Sequence, residues 1–350
     1  MKFSREPERR KMVTLADVAK HAGVSKTQVS FVLNRKNLHL VSAERRTRIS
    51  KAIRDLNYRP NQAARRLAGK PSHLLGLLLP GGSVTPYGPL IQGVLSTARL
   101  RGYQVIVAPA PTSADALRKY IEHLEPYDLD GMICVARQSM SRVTDLGTLM
   151  GRFRRSVVIG PEGITGVTIQ ADHRTAMRDV VRYLAESGRR NIGLILPEQD
   201  ESLRTAERLA GVEDATADLG WTRNDELTWK FSRRTHPWPD ESEAQAAVDA
   251  LVVRGGADAI IAHDDAWAAR ILQTLTLRGH RVPKEISVVG YGNLPFSELT
   301  APSLTTVDLQ ERRMGLTAVD QLIDAIENDR PTERRETVAV EASLILRDSA

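Results

Sequence analysis

The sequence predicts an α/β protein with a small all-α head at its N-terminus and a larger body of parallel β-sheets flanked by helices. Residues 14–34 carry two short helical patterns on either side of a glycine. From about Leu74, short apolar runs alternate with helical patterns, which is typical of parallel sheets covered on both faces. Residues 1–70 contain 18 Lys and Arg against 5 Asp and Glu, so this part is strongly basic, whereas the rest of the chain is mildly acidic. The predicted segments are a disordered basic extension (1–12), the helical head (13–59), a hinge helix and linker (60–72) and the body (73–350).

The first two helices of the head are predicted from their caps and from the glycine between them. Thr14 can cap the first helix, and Ser25 can cap the second, with Gln28 three residues later to complete a capping box. Gly23 lies where the first helix must end, a position that favours a positive φ. The residues on the apolar faces are Leu15, Val18, Ala19, Ala22, Val29, Val32 and Leu33. This arrangement indicates a helix-turn-helix, which presents its second helix to the DNA major groove. The alternative is a small helical bundle with a solvated basic face.

The outer face of the second helix is predicted to contact DNA, and the outer face of the third helix is predicted to be basic. A third helix is expected from Ser42, with Ile49, Ile53 and Leu56 buried. The outer face of the second helix carries Lys26, Thr27, Gln28, Ser30 and Phe31, and that of the third carries Arg45, Arg46, Arg48, Lys51 and Arg54. Basic side chains bind phosphates by releasing counterions, so DNA binding is expected to weaken steeply with salt.

A short helical segment is predicted between the head and the body. Pro60 ends the third helix, because the residue before a proline disfavours the α region. Asn61 can cap a segment of about two turns, which is unstable in water unless it folds against a partner. Leu67 stands beside Arg65 and Arg66, a combination typical of an apolar wedge in the minor groove. A plain linker is the alternative interpretation.

These motifs together resemble the LacI/GalR family of bacterial transcription regulators. The resemblance is carried by VTLADVAKHAGVS, VSFVLN and LNYRPNQAARRLAGK in the head, and by EISVVGYG and PSLTTV in the body. It implies a homodimer that reads a pseudo-palindromic operator in double-stranded DNA, most often as a repressor. It also implies a hinge helix over residues 61–68, with Leu67 intercalated and Ala64 allowing the two hinges to approach. The DNA contacts expected from the pattern and the resemblance are Thr14, Ser25, Lys26, Thr27, Gln28, Ser30, Phe31, Asn34, Tyr58, Asn61, Ala64, Arg65 and Leu67.

Two residues of the reading surface depart from the family pattern. The family usually has Thr where Gln28 stands and Arg where Phe31 stands. Phe31 can touch a thymine methyl group but cannot make the polar contact of an arginine. Gln28 can read adenine or can serve only as a cap, and both interpretations stay open.

The body is expected to bind a small molecule between two lobes. Ligands of open α/β sheets bind at the carboxyl ends of the strands, and the resemblance implies a two-lobed body like a periplasmic sugar-binding protein. The candidate effector-binding residues are Pro80, Tyr87, Arg208, Phe231, His263, Asp264, Gly292 and Asn293. Phe231 is expected in an irregular Pro-rich stretch with Trp229 and Trp238, where an aromatic ring can stack on a ligand.

Several of these candidates have structural alternatives. Tyr87 can be a surface aromatic and Arg208 a surface helix charge, while His263 or Asp264 can cap the next helix. The family usually has a carboxylate at Gly292, where it accepts two sugar hydroxyls. Its loss leaves open a sugar derivative, a nucleoside, another small molecule or a protein partner as the effector.

The remaining features argue against other classes of protein. Cys134 is the single cysteine, which forbids an internal disulfide and fits a reducing cytoplasm. The charged N-terminus is not a secretory signal, and no apolar run is long enough to span a membrane. No CxxC or HExxH pair predicts a metal, and no GxGxxG, P-loop or GxSxG motif predicts a cofactor or an enzyme. We therefore expect a cytoplasmic, cofactor-free regulator rather than an enzyme or a secreted binding protein.

Overall fold

The computed structural model forms two compact units, Met1–Ser72 and His73–Ala350. The residues that the structure describes are 13–33, 37–58, 71–81, 87–111, 113–124, 127–136, 146–160, 166–198, 203–231, 239–330 and 336–350. The predicted extension over 1–12 and the predicted hinge over 61–68 lie outside these residues.

The head consists of helices α1 (Leu15–Ala22), α2 (Lys26–Leu33) and α3 (Ala43–Asp55), with a 3-10 turn at Leu38–Leu40. Thr14 and Asp17 form a capping box at the start of α1, and Gly23 ends this helix with φ 64°. Ser25 and Gln28 exchange hydrogen bonds at the start of α2, with a donor–acceptor distance of 3.4 Å from Ser25 N and 3.2 Å to Ser25 Oγ. The predicted caps of α1 and α2 are therefore confirmed.

The three helices pack around a small core. Arg48, which was predicted to be on the outer face of α3, contacts the end of α1 instead. The fully enclosed side chains include Val18, Val29 and Ile49. Arg48, predicted on the outer face of α3, donates from Nε and Nη2 to the carbonyl oxygen of Ala22 and from Nη2 to that of Gly23. These carbonyls are left without helical partners at the end of α1, so Arg48 caps that end and does not project freely.

The body contains parallel strands in two groups and helices between them. The strands are β1 (Leu74–Leu79), β2 (Gln104–Pro109), β3 (Gly131–Val135), β4 (Ser156–Ile159), β5 (Val167–Ala171), β6 (Ile192–Pro197), β7 (Thr228–Phe231), β8 (Ala259–Ile261), β9 (Ser287–Tyr291), β10 (Thr305–Asp308), β11 (Glu336–Val340) and β12 (Ser343–Ile345). The helices are α4 (Gly88–Leu100), α5 (Ala114–Leu124), α6 (Leu146–Met150), α7 (His173–Glu186), α8 (Leu203–Asp218), α9 (Glu241–Val248), α10 (Asp265–Leu277) and α11 (Glu311–Glu327). A π-helical turn follows α9 at Asp249–Arg254, and 3-10 turns lie at Asp225–Leu227 and Pro295–Leu299. Within the described ranges, no helix has the length and apolar character needed to cross a membrane.

Two six-stranded sheets define the two lobes of the body. The first lobe has the strand order β11-β5-β4-β3-β1-β2, and the second has the order β12-β10-β9-β8-β6-β7. All pairs are parallel except β10 with the edge strand β12. The chain passes between the lobes after β5, after β10 and after β11. The prediction of two parallel-sheet lobes with more than one crossing is confirmed.

One predicted irregular segment is a strand. Residues Thr228–Phe231 form β7, which pairs in parallel with β6 from Leu194 to Pro197. The prediction that Trp229 and Phe231 lie in an irregular stretch was therefore wrong, while Trp238 lies outside the described residues. The aromatic and β-branched residues of this segment favour a pleated edge, and their short run hides the period-2 pattern.

Helices α4 and α11 of the first lobe approach each other closely at two glycines. A Cβ atom built on Gly93 would lie 2.1 Å from the carbonyl oxygen of Arg312, and one on Gly315 would lie 2.4 Å from that of Leu90. The backbones are therefore in direct contact at both points, and any side chain would separate the helices. This contact fixes α11 against the sheet whose strand ends line the cavity described below.

The substitution Gly93→Ala is expected to lower the free energy of unfolding of the body by about 1–3 kcal/mol, because overpacking must push α4 away from α11. Gly88→Ala in the same helix is the matched control, since a Cβ there meets no atom within 4 Å. Urea denaturation followed by circular dichroism measures both variants. Equal stability of the two variants would contradict the close contact.

Candidate DNA-reading surface and ligand cavity

The first turn of α2 presents the most accessible polar side chains of the predicted reading surface. Ser25, Lys26 and Thr27 are exposed, while Gln28 and Ser30 are partly buried. Gln28 uses its Oε1 to accept a hydrogen bond from the Ser25 amide. A bidentate contact to adenine needs both amide atoms of a glutamine, so the observed geometry favours the capping role of Gln28.

Two predicted DNA contacts take part in the core of the head. Phe31 is partly buried and packs against the cluster formed by the three helices, so it is not the fully exposed side chain that the helical pattern predicts. Tyr58 is 9 % exposed and lies in the same cluster, and burial raises the pKa of its phenol. The ring of Tyr58 closes the core beyond the end of α3, and its contact with DNA stays a prediction.

Of the other residues predicted to contact DNA, one caps a helix and the rest lie outside the described residues. Thr14 caps α1, because its hydroxyl oxygen accepts from the Asp17 amide at 3.3 Å, and the hydroxyl also donates to Asp17 Oδ2 at 2.7 Å. The remaining residues lie outside the described part of the chain; they are Asn34, Asn61, Ala64, Arg65 and Leu67. Their proposed roles rest on the sequence.

A cavity of about 220 Å³ lies between the two lobes of the body. Its first-lobe wall is formed at the carboxyl ends of β3, β4 and β5, and its second-lobe wall by the first turns of α7 and α8. Apolar side chains dominate the lining and include Tyr87, Leu90, Val135, Ile159, Leu309 and Met314. The polar lining residues are Gln170, Asp172, His173, Arg204, Glu207 and Glu311.

The predicted effector residues divide into one that lines this cavity and several that do not. Tyr87 is buried in its wall, directly before α4. The residues that lie elsewhere are Pro80, Arg208, Phe231, His263, Asp264, Gly292 and Asn293, of which Pro80 is buried just after β1. Those of the second lobe gather at the carboxyl ends of its strands, as predicted, but they are bonded mainly to one another and to the backbone.

Arg208 is a buried anchor of the second lobe. Its side chain, 2 % exposed, donates from Nη1 to the carbonyl oxygen of His263 at 2.8 Å and from Nη2 to that of Ala262 at 3.0 Å. The guanidinium carbon lies 3.9 Å from the centre of the Tyr291 ring. Two of its donors are thus used at the end of β8, and a contact of Arg208 with an effector stays a prediction.

His263, Asp264 and Phe231 form the structure around the start of α10. Asp264 Oδ1 accepts a hydrogen bond of 2.9 Å from the amide of Trp267, so it is the cap of this helix. The His263 ring packs edge-on against Phe231, with ring centres 5.3 Å apart, and Phe231 also packs against Trp267 at 4.7 Å. The structural alternative for Asp264 is therefore the observed one, and Phe231 is a packing residue.

The loop after β9 is fixed by internal hydrogen bonds. Asn293 donates from Nδ2 to Asp308 Oδ2 at 3.2 Å and accepts from Arg347 Nη2 at 2.9 Å. Asp265 accepts from the amide of Leu294 at 2.6 Å and from the hydroxyl of Thr306 at 2.5 Å, and burial raises its pKa to about 6. Gly292 has φ 130°, which favours glycine. The amide of Asn293, predicted to bind an effector, is thus occupied within the protein.

The sequence analysis missed all the polar residues of the cavity, and His173 is the one among them that bonds to the second lobe's Tyr291. His173 is the first residue of α7, capped by Asp172, whose Oδ1 accepts from the amide of Thr175 at 3.0 Å. His173 Nδ1 lies 2.6 Å from the hydroxyl oxygen of Tyr291. Burial, followed by the charges of Arg204 and Arg208, lowers the pKa of His173 to about 3, so the ring is neutral near neutral pH. A signal was present in the pair Asp172-His173, which stands where the chain crosses between lobes.

Two family models match parts of the chain. Residues 14–61 match the family described as "Bacterial regulatory proteins, lacI family", and residues 181–350 match "Periplasmic binding protein-like domain". The HTH-type transcriptional repressor PurR of Photobacterium profundum is 28 % identical over 341 residues, which is 97 % of this chain and 98 % of the relative. The HTH-type transcriptional regulator AscG of Escherichia coli is 28 % identical over 318 residues, covering 89 % of this chain and 91 % of that protein.

Solved structures agree with this assignment. The lac repressor dimer bound to operator and the anti-inducer ONPF has a TM-score of 0.79 at 25 % identity, covering 97 % of this chain and 99 % of that one. A complex of the transcriptional regulator CelR with cellobiose shares the fold, with a TM-score of 0.67 at 24 % identity and coverage of 97 % and 100 %. The chain therefore combines a lacI-family DNA-binding domain at residues 14–61 with a periplasmic binding protein-like domain at residues 181–350, and it is a DNA-binding transcription regulator.

The low pKa of His173 predicts a loss of stability in acid. The unfolded chain takes up a proton at this residue below about pH 6.5, whereas the folded chain does so only near pH 3, so stability rises with pH through this window and is complete above it. Between about pH 8 and about pH 5, the wild type should lose about 2 kcal/mol more unfolding free energy than His173→Gln. Asp265, whose pKa is raised to about 6, stabilises the folded chain as the pH falls. This effect is the same in the wild type and in His173→Gln, so it cancels when the two proteins are compared.

Urea denaturation at the two pH values measures this difference. His123→Gln is the control, because His123 is exposed on α5 and away from the cavity. An equal acid-induced loss in the wild type and in His173→Gln would contradict the buried, neutral state of His173.

Proposed function

We propose that this protein represses transcription by binding a pseudo-palindromic operator as a homodimer, under the control of a small molecule held between the lobes of its body. The observation that carries the DNA-binding part is the first turn of α2, where a capped helix end exposes Ser25, Lys26 and Thr27. A helix held by such a cap can place its N-terminal side chains against base edges in the major groove. The names of the relatives supply the expectation that the regulator is a repressor.

The dimer is supported by an apolar surface on the second lobe. A groove of about 640 Å³ runs along α10 and includes Leu272, Leu277 and Phe296. Leu277 is 76 % exposed in the single chain, and Leu299 is 81 % exposed. Exposed apolar groups of this kind favour an interface, and a second copy of the chain is the occupant because the lac repressor, similar over nearly the whole length, is described as a dimer.

The hinge and the limits of the head remain part of the proposal. We assign residues 13–59 to the helix-turn-helix domain, 60–72 to the hinge and linker, and 73–350 to the effector-binding body. Paired hinges from two chains would allow Leu67 to enter the minor groove and Ala64 to lie at their contact, with Arg65 on the phosphates. This assignment rests on the sequence and on the family.

The effector is proposed to bind in the cavity of about 220 Å³, against Tyr87 and the strand ends of the first lobe. A carbohydrate is the first class to test, since CelR is described in complex with cellobiose. A second candidate is favoured by the internal bonds of Arg208 and Asn293, which occupy groups that the sequence assigns to sugar recognition. On that interpretation the body responds to another metabolite or to a protein partner.

Control of DNA binding follows if the ligand binds two arrangements of the lobes unequally. A ligand shifts an equilibrium only by its difference in affinity for the two states. The short hinge segment, which cannot form a stable helix alone, is the element whose folding such a shift would favour or oppose.

Selection from a randomised double-stranded DNA pool tests the DNA-binding proposal. A pseudo-palindrome with a flexible pyrimidine–purine step at its centre is expected, and an asymmetric half-site or no enriched sequence would contradict the dimer.

On the selected operator, Lys26→Gln is expected to raise the Kd about tenfold and to relax base preference at one symmetric pair of positions. The control is Lys119→Gln, which removes an equal charge from the exposed face of α5 in the body. Fluorescence anisotropy at fixed salt measures both variants. Equal effects of the two substitutions would mean that Lys26 contributes only general charge.

A further inference from the structure

His173 is held in the cavity wall by a hydrogen bond and by ring packing. Its Nδ1 lies 2.6 Å from the Tyr291 hydroxyl, and the two rings are stacked with centres 5.9 Å apart and planes 28° apart. Tyr291 is itself 4 % exposed and has the Arg208 guanidinium over its ring. The imidazole therefore has little freedom to rotate.

The direction of this hydrogen bond follows from the surroundings of Tyr291. Among the residues that the structure describes, the Tyr291 hydroxyl has one hydrogen-bond partner, His173 Nδ1. A buried phenol hydrogen without an acceptor is costly, so Tyr291 donates and Nδ1 accepts. A cation over the ring face polarises the phenol in the same direction. In a neutral imidazole with an accepting Nδ1, the hydrogen must be on Nε2.

The Nε2–H group is available to the cavity. His173 belongs to the lining, and no described residue forms a hydrogen bond with its Nε2. The ring stays neutral because its pKa is lowered to about 3. It therefore presents a single donor of fixed direction and no positive charge.

The rest of the lining limits the charge and shape of a ligand. Among the lining residues that the structure describes, the carboxylates of Asp172, Glu207 and Glu311 outnumber the one cation, Arg204, so a negatively charged ligand would meet net repulsion from them. Apolar walls from Tyr87 and Met314 favour a compact ring. The volume of about 220 Å³ is below the roughly 300 Å³ at which drug-sized pockets begin.

We propose that His173, positioned by Tyr291, is the ligand-contacting donor of this cavity and selects a small uncharged ring that offers a hydrogen-bond acceptor to Nε2. This inference rests on the proposed function only in taking the cavity as the effector site. It names a residue outside the group that the sequence assigned to recognition. Uncharged sugars and uncharged aromatic amides share the required chemistry, and the experiment distinguishes them.

The tautomer is the first test and needs no ligand. Nitrogen-15 spectra of histidine-labelled protein, with His173 assigned by His173→Gln, should show the Nε2–H form from about pH 5 to about pH 8. Tyr291→Phe removes the donor to Nδ1 and should produce a mixture of tautomers. An Nδ1–H form, or a protonated ring, in the wild type would overturn the proposal.

Ligand selection is tested with charge-matched probes at neutral pH: nicotinamide with nicotinate, benzamide with benzoate, and glucose with glucuronate. The uncharged member of at least one pair should bind at least about tenfold more tightly than its anion and should shift the His173 resonances. His173→Phe should weaken that binding about tenfold, whereas His173→Gln should retain most of it, because the glutamine amide nitrogen can replace Nε2. His123→Gln is the control. Binding of no uncharged probe, equal binding of the anion, or no effect of His173→Phe would overturn the proposal.

The same titrations separate this inference from the proposed function. A probe that depends on His173 but leaves operator affinity unchanged refutes regulation through the cavity and supports the ligand assignment. A compound that changes operator affinity equally in the wild type and in His173→Phe supports regulation and refutes the role of His173.

Discussion

The buried guanidinium of Arg208 is the constraint on which the second lobe depends. Arginine stays charged, and a buried charge is tolerated only when its donors are satisfied. Here the carbonyl oxygens of His263 and Ala262 accept from Nη1 and Nη2, and the face of Tyr291 lies against the guanidinium. The arrangement joins α8 to the end of β8 and fixes Tyr291 at the end of β9, and Tyr291 in turn holds His173. One buried cation thus determines the position of the cavity wall that faces the first lobe.

The polar groups at the strand ends of the second lobe form hydrogen bonds with one another, and this explains where the cavity lies. Asp264 caps α10, Asp265 holds the loop after β9, and Asn293 bonds to Asp308 and Arg347. Polar groups that are bonded to one another offer little to a ligand. The open space is found instead against the strand ends of the first lobe, where apolar side chains dominate and polar groups enter from α7, α8 and α11.

Local patterns in the sequence are sufficient to predict the helices and strands. The site is harder to predict, because its side chains bond to residues that are far away in the sequence. Caps such as Thr14–Asp17 and Ser25–Gln28 involve residues three apart, so sequence spacing is sufficient to find them. The partner of Arg48 lies 25 or more residues away and that of Arg208 more than 50, and no local pattern encodes such pairs. Strands β11 and β12 follow each other in the chain but join different sheets, so their assignment also depends on the whole topology.

We propose that the cavity between the lobes controls DNA binding by the head. Ala339 lines the cavity on the exposed side of β11, and a tryptophan there would occupy the space without displacing the core. The decisive measurement is the operator affinity of Ala339→Trp in the absence of any ligand, beside Thr337→Trp, which is exposed on the same strand outside the cavity. The account predicts a change of about tenfold for Ala339→Trp and less than about twofold for Thr337→Trp. Equal affinities for both variants and the wild type would show that the cavity and the head are not coupled.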